Sequence, residues 1–231
     1  MHPAPRYALI ALGLTLTACG DHDHAAGVDP EHAQPYHRHH PVDAETGLIM
    51  TDSLGFPGNH PTDPATGELD PQPIRDWTYV DQRGEAFGSD DLRGKVYVAD
   101  FFFTSCPTIC PKVKSQMLRL LAEFGDHPDF ALVSFTIDPK RDTPERMLDY
   151  ARKLGVADDA PWHYIHGDKF EIYDLDQDYL SIAEENAAAP GGFDHSGYIV
   201  LVDRAGRVRA YASGLKEEEV THLMEDIRML L

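Results

Sequence analysis

The chain has 231 residues, 42% hydrophobic and 26% charged, with 39 acidic against 20 basic side chains and a formal charge of −19. That composition suits one globular domain of about 100–200 residues plus additional chain. It excludes a nucleic-acid binder, because a phosphate backbone would be repelled over most of this surface. No apolar run approaches the about 18–20 residues of a membrane-spanning helix, and three cysteines are too few for a disulfide framework, so the core must form by burial.

At the N-terminus, Arg6 is the only charge ahead of an apolar stretch over residues 7–18, the length of a signal-peptide hydrophobic region. The stretch ends Leu16-Thr17-Ala18-Cys19, which resembles the lipobox of bacterial lipoproteins and implies lipidation of Cys19. An ordinary secretory signal with an incidental cysteine is the alternative. Loss of residues 1–18 takes one positive charge from a chain of −19 and leaves −20. Acyl chains would then hold the protein in the bacterial cell envelope, with no protein segment inside the bilayer.

Residues 19–73 read as a linker. From Gly20 to Pro73 there are 8 prolines and 6 glycines in 54 residues, a level at which a non-periodic segment is expected to be poorly ordered. The same stretch holds His22, His24, His32, His37, His39, His40 and His60 among many carboxylates. Such a chain can collect divalent copper or zinc weakly, or act simply as a solvated spacer.

The domain is expected over residues 74–231. Trp77-Thr78-Tyr79-Val80 and Glu85-Ala86-Phe87 flank a turn and predict a hairpin. Residues 95–104 form a near-continuous β-prone run, the pattern of a central strand covered on both faces. Residues 112–124 carry Val113, Met117, Leu120, Leu121 and Phe124 at helical spacing. A second buried strand follows at 130–137. Asp142-Thr143-Pro144-Glu145 marks a helix start running to Gly155. A strand at 162–166, a helix at 169–179, a hairpin of 198–203 with 208–212 and a closing helix at 217–230 complete the pattern. Strands alternating with helices predict an α/β sheet with helices on both sides.

The chemistry lies directly after the first central strand, at Ser105-Cys106-Pro107-Thr108-Ile109-Cys110-Pro111. With Cys19 assigned to the lipobox, Cys106 and Cys110 can pair only with each other or with a ligand. Positions four apart share a helix face, so both sulfurs can point the same way. Pro111 suits a first helical turn. That places Cys110 at a helix N-terminus, where the dipole is expected to favour its thiolate. Two thiolates suit a soft ion such as Cu(I) or a reversible disulfide, and the pair alone does not choose between them. Far along the chain, Gly191-Gly192-Phe193-Asp194-His195-Ser196-Gly197 puts His195 on a glycine-bounded loop at a strand start. Spacing alone leaves it a surface histidine as readily as a ligand.

Three stretches together resemble the SCO/SenC family of copper-handling proteins: Phe102 to Pro111; Ile137-Asp138-Pro139-Lys140-Arg141-Asp142-Thr143-Pro144; and Asp194-His195 followed by Tyr198-Ile199-Val200-Leu201. The resemblance spans about residues 74–231. It implies a thioredoxin-like fold, a central mixed sheet flanked by helices with an N-terminal β-hairpin. It further implies that Cys106, Cys110 and His195 bind copper, as Cu(I) or Cu(II), for delivery to the binuclear copper site of cytochrome c oxidase, whose copper-site subunit would be the partner. By the usual chemistry of a ligating imidazole, Asp194 or a nearby carbonyl is expected to orient the ring of His195 by accepting from its second nitrogen.

Val98-Ala99-Asp100-Phe101 also resembles thioredoxin, whose buried aspartate stands six residues before its first cysteine, and Asp100 is expected to be buried, either tuning the thiols through a raised carboxyl pKa or serving as a structural carboxylate satisfied by its neighbours. Thioredoxins, however, have two residues between their cysteines and a cis-proline before the facing strand. Here there are three, and His195-Ser196-Gly197 occupies the pre-strand position. These departures favour a metal-binding, non-enzymatic metallochaperone. A thiol–disulfide oxidoreductase acting on the oxidase's copper-site cysteines and a redox or copper sensor are the alternatives.

Overall fold

The computed structural model describes residues 73–179, 181 and 183–231; the stretches read as a signal peptide and a histidine-bearing linker, with Cys19 and His22 to His60, lie outside the described residues. The elements in order are β1 (Thr78–Asp81), β2 (Ala86–Gly88), β3 (Val96–Phe102), α1 (Cys110–Phe124), β4 (Phe130–Thr136), α2 (Pro144–Lys153), β5 (Trp162–His166), α3 (Lys169–Leu175), β6 (Ala183–Glu185), β7 (Phe193–His195), β8 (Tyr198–Val202), β9 (Val208–Ser213) and α4 (Glu217–Leu230).

Seven strands form one mixed sheet in the order β2-β1-β5-β4-β3-β8-β9, and β6 and β7 form a separate two-stranded sheet. The central strands β3, β4 and β5 run parallel, while β1 joins β5 and β8 joins β3 in antiparallel fashion. Every residue of β3 and of β4 is buried, as expected for strands covered on both faces. Side chains alternate across β3. Phe102 meets Tyr150 of α2 and Tyr164 of β5 on one face. On the other, Phe101 stacks on Phe135 and meets Tyr179. Helix α1 lies on the Phe102 side, with α4 fastened to it by Arg228–Glu123 and by Arg119 donating to Thr221.

The periodic elements stand within a few residues of where the sequence pattern puts them. Helix α1 begins at Cys110 rather than 112, because Pro111 in its first turn has no amide to satisfy. The helix expected over 169–179 is α3 followed by a tighter 3₁₀ turn at Asp176–Tyr179; the tighter winding turns Tyr179 inward, where its hydroxyl lies 3.0 Å from that of Tyr97. The cap of α2 is Thr143, which accepts from the Arg146 amide at 3.3 Å.

Candidate metal centre

Strand β3 ends at the edge of the sheet and releases the loop that carries Cys106. A buried carboxylate secures this loop. Asp142, wholly buried, accepts from the Thr104 amide at 2.9 Å, from the Thr104 hydroxyl and from Thr136 Oγ1 at 2.7 Å. It thereby ties the loop after β3 to the end of β4 and the start of α2. The chain then turns, with the Cys106 amide donating to the Phe103 carbonyl at 3.2 Å, and enters α1 at Cys110.

His195 reaches the same place from the other end of the domain. It is the last residue of β7, paired with Ala183 of β6, rather than part of a loop. Phe103 meets the imidazole edge-on with ring centres 5.6 Å apart, and also packs against Phe193 at 4.9 Å. Gly191 makes this approach possible: its φ is +84°, and a Cβ there would stand 2.7 Å from the Phe103 ring.

The result is a three-atom cluster. Nε2 of His195 lies 3.7 Å from Cys106 Sγ and 3.6 Å from Cys110 Sγ, and the three atoms all fall within 4.8 Å of one another. Both cysteines are buried free thiols, and His195 is half-buried. The donor set fits a soft or borderline ion. Bonds of about 2.3 Å to sulfur and about 2.0 Å to imidazole nitrogen, the values found for zinc, would bring a sulfur and a nitrogen on one ion to within about 4.3 Å. The observed separations satisfy this without rearrangement.

The two thiols are not equivalent, and the inequality reverses the expectation for Cys110. The Cys110 amide, at the head of α1, donates to Cys106 Sγ at 3.5 Å. The helix N-terminus thus serves Cys106. The hydrogen bond from the Cys110 thiol, followed by His195 and the amides of Cys110 and Thr108, outweighs burial and pulls Cys106 down to about 3. The Cys110 thiol is pushed up by its bond to Cys106 and by burial. The site is therefore a thiolate, a thiol held beside it and an imidazole.

Asp100 is wholly buried in the middle of β3, as expected. It does not stand there alone. Lys114 Nζ donates to both of its oxygens, at 2.9 and 2.8 Å, and Ser134 donates to Oδ1. Asp194 lies in β7, but its side chain falls outside the described atoms; Nδ1 of His195 is buried without a hydrogen-bond partner among the described residues. Lys114 and Asp142 escaped the sequence reading. Lys114 left one visible signal: a lysine within the apolar stripe Val113, Met117, Leu120 of α1. Asp142 stood ahead of a helix and within the family-like stretch Ile137 to Pro144, but neither signal marked it as the carboxylate that secures the loop.

Comparison with known proteins follows the same outline. A family model described as SCO1/SenC matches residues 66–231. A SCO2-like protein of Rickettsia prowazekii (strain Madrid E) is 30% identical over 154 residues, covering 64% of this chain and 73% of that protein. Among solved structures, a SCO1/SenC family lipoprotein from Bacillus anthracis str. Ames aligns with a TM-score of 0.62 at 29% identity, over 68% of this chain and 94% of that one. Bradyrhizobium japonicum ScoI with copper bound aligns with a TM-score of 0.56 at 27% identity, over 69% of this chain and 100% of that one. By the extent of the family match and the agreement of fold, this chain belongs to the SCO1/SenC family.

Proposed function

We propose that the protein is a copper metallochaperone that holds copper between Cys106, Cys110 and His195 for assembly of the binuclear copper site of cytochrome c oxidase. The convergence of two sulfurs and one imidazole nitrogen within 4.8 Å carries the reading. Thiolates are soft donors that suit Cu(I), and imidazole adds the nitrogen that Cu(II) favours. The copper-bound ScoI relative supports the choice of metal. Cargo held by three side chains where the loop after β3, the start of α1 and the end of β7 meet can pass by stepwise ligand exchange, each acceptor thiolate displacing one donor. The proposal includes a signal peptide over residues 1–18, a lipid on Cys19 and residues 19–73 as the spacer to the membrane of the cell envelope. The lipoprotein relative from Bacillus anthracis supports this part.

The free thiol pair also supports a second reading, a thiol–disulfide oxidoreductase that reduces the oxidase's copper-site cysteines. His195→Ala separates the two. Disulfide exchange needs a thiolate, a partner sulfur and access, but no imidazole. For the chaperone, the variant loses stable Cu(II) binding, weakens Cu(I) binding less, and still forms and opens the Cys106–Cys110 disulfide, while oxidase copper loading in cells falls. Normal oxidase assembly by a variant that no longer binds Cu(II) would defeat the delivery reading in favour of the reductase.

A further inference from the structure

Copper that passes by ligand exchange is never free, so an acceptor sulfur must come within a metal–sulfur bond, about 2.3 Å, of an ion that still keeps some of its donors. Those donors are nearly covered: Cys106 is 9% exposed and Cys110 2%. A protein acceptor must therefore rest on whatever surrounds them, and that surround selects it.

Three chain segments build the surround. Pro107, exposed directly after Cys106, lies against Gly191, where a Cβ would stand 3.3 Å from Pro107 Cδ. Ile109, half-buried directly before Cys110, and Leu215, in the turn between β9 and α4, converge on Gly197, two residues after His195. A Cβ at Gly197 would stand 3.5 Å from Ile109 Cδ1 and 3.4 Å from Leu215 Cγ. The Gly214 amide donates to the Gly197 carbonyl at 2.8 Å and so fixes the turn of Leu215 to the segment leaving His195. Leu215 is nevertheless 45% exposed. A single exposed leucine needs no explanation. Here it stands with an exposed proline and a half-buried isoleucine around three ligating side chains, and none of the three rim residues carries a charge on a chain that is 26% charged.

Such a rim discriminates between occupants. A charged side chain pressed onto it would lose hydration and find no partner, whereas apolar surface gains by leaving water. A second copy of this chain would bring a further charge of −19 against the first. We infer that Pro107, Ile109 and Leu215 form a docking rim for the protein that exchanges with the site, and that the rim takes an uncharged, apolar segment of that partner beside its own cysteine pair. Copper as the cargo rests on the proposed function; the rim serves disulfide exchange with the same partner equally.

The test uses the full chain as wild type, Leu215→Glu, Leu215→Met and Met229→Glu, the last placing the same charge on an exposed apolar residue of α4. Two acceptors receive Cu(I) at sub-saturating concentration: the reduced, copper-free copper-site domain of cytochrome c oxidase, and bicinchoninate, which is small enough to need no docking. Leu215→Glu is expected to slow transfer to the domain about tenfold, the order of loss when an anchor of an interface is spoiled. Its transfer to bicinchoninate should stay within about twofold of wild type. Leu215→Met and Met229→Glu should match wild type with both acceptors. Transfer by Leu215→Glu to the domain at the wild-type rate, equal slowing toward bicinchoninate, or equal slowing by Met229→Glu would overturn the inference. So would a wild-type dimer that Leu215→Glu dissolves, read by sedimentation, because the occupant would then be a second copy.

If wild type passes no copper to the domain, the delivery reading fails and the rim is judged by disulfide exchange with the oxidised domain. In that step two electrons and two protons leave the Cys106 and Cys110 thiols as their S–S bond forms, and the domain's S–S bond takes them up and opens to two thiols. Exchange about tenfold slower in Leu215→Glu upholds the rim. An unchanged rate, or no exchange by wild type, overturns it.

Discussion

Cys106 and Cys110 have the same chemistry in isolation, and the first turn of α1 makes them different. The backbone amide and the thiol of Cys110 both turn toward Cys106, which becomes the anion of the pair. Because Cys106 is held down to about 3, it is already thiolate at pH 5, and haloacetamide at that pH should modify Cys106 and spare Cys110. Cys110→Ala removes the largest stabilising contact, so the alkylation midpoint of Cys106 should climb toward the ordinary thiol range of about 8.5. Measurement of the alkylation rate against pH, with peptide mapping of the modified site, checks both. A midpoint that stays near 3 in the variant would shift the credit to His195 and the helix amides.

Two elements position the site, and each depends on one residue type. The β6–β7 hairpin delivers His195 only because Gly191 takes a positive φ against the face of Phe103. Gly191→Ala places a methyl in the left-handed region, at a cost of about 1–2 kcal/mol, and pushes against Phe103, which itself contacts His195. The variant should lower the thermal midpoint and disturb the Cu(II) spectrum together, whereas Gly192→Ala, which carries similar backbone strain at φ +92° but meets nothing within 4 Å of its Cβ, should lower the midpoint and leave the spectrum nearly unchanged.

At the other side of the sheet, His163 of β5 fastens the β1–β2 hairpin. Its ring stacks on Phe87 at 3.7 Å, and Nδ1 accepts from Arg83 at 2.6 Å. Burial and the Arg83 charge hold it down to about 4. The unfolded chain therefore takes up this proton from about pH 6.5 downward, while the folded chain does so only near 4. Stability should fall as the pH drops through that window, by on the order of 3 kcal/mol from this residue. Unfolding in urea between pH 7 and 4 should show the slope, and His163→Gln should flatten it.

At the scale of the whole molecule, a compact copper-site domain follows a long acidic, histidine-bearing chain. Chelation by residues 20–73 would have to gather histidines spread over a proline- and glycine-rich stretch of sequence, whereas Cys106, Cys110 and His195 are held in place by β3, α1 and β7. Deletion of residues 21–70 should leave one tight copper per molecule and remove only weaker extra binding, as read by titration against a chelator of known affinity. Loss of the tight equivalent would make the segment part of the site.

Local pattern by itself determined most of the architecture. Hydrophobic periodicity marks β3, β4, α1 and α4, and proline and threonine mark the start of α2, because each signal lies within one element. The cysteine pair was equally legible, since its spacing and flanking prolines sit in six consecutive residues. The distant partners were not. Strands β6 and β7 have three residues each, too short for any period to register, and His195 was a ligand only by resemblance until pairing with Ala183 carried it to the thiols. Tertiary structure decided which sulfur bears the charge, since that depends on where the Cys110 amide points. It also decided that Asp100 has a partner, because Lys114 stands 14 residues away in sequence and reaches it only when α1 packs across the sheet.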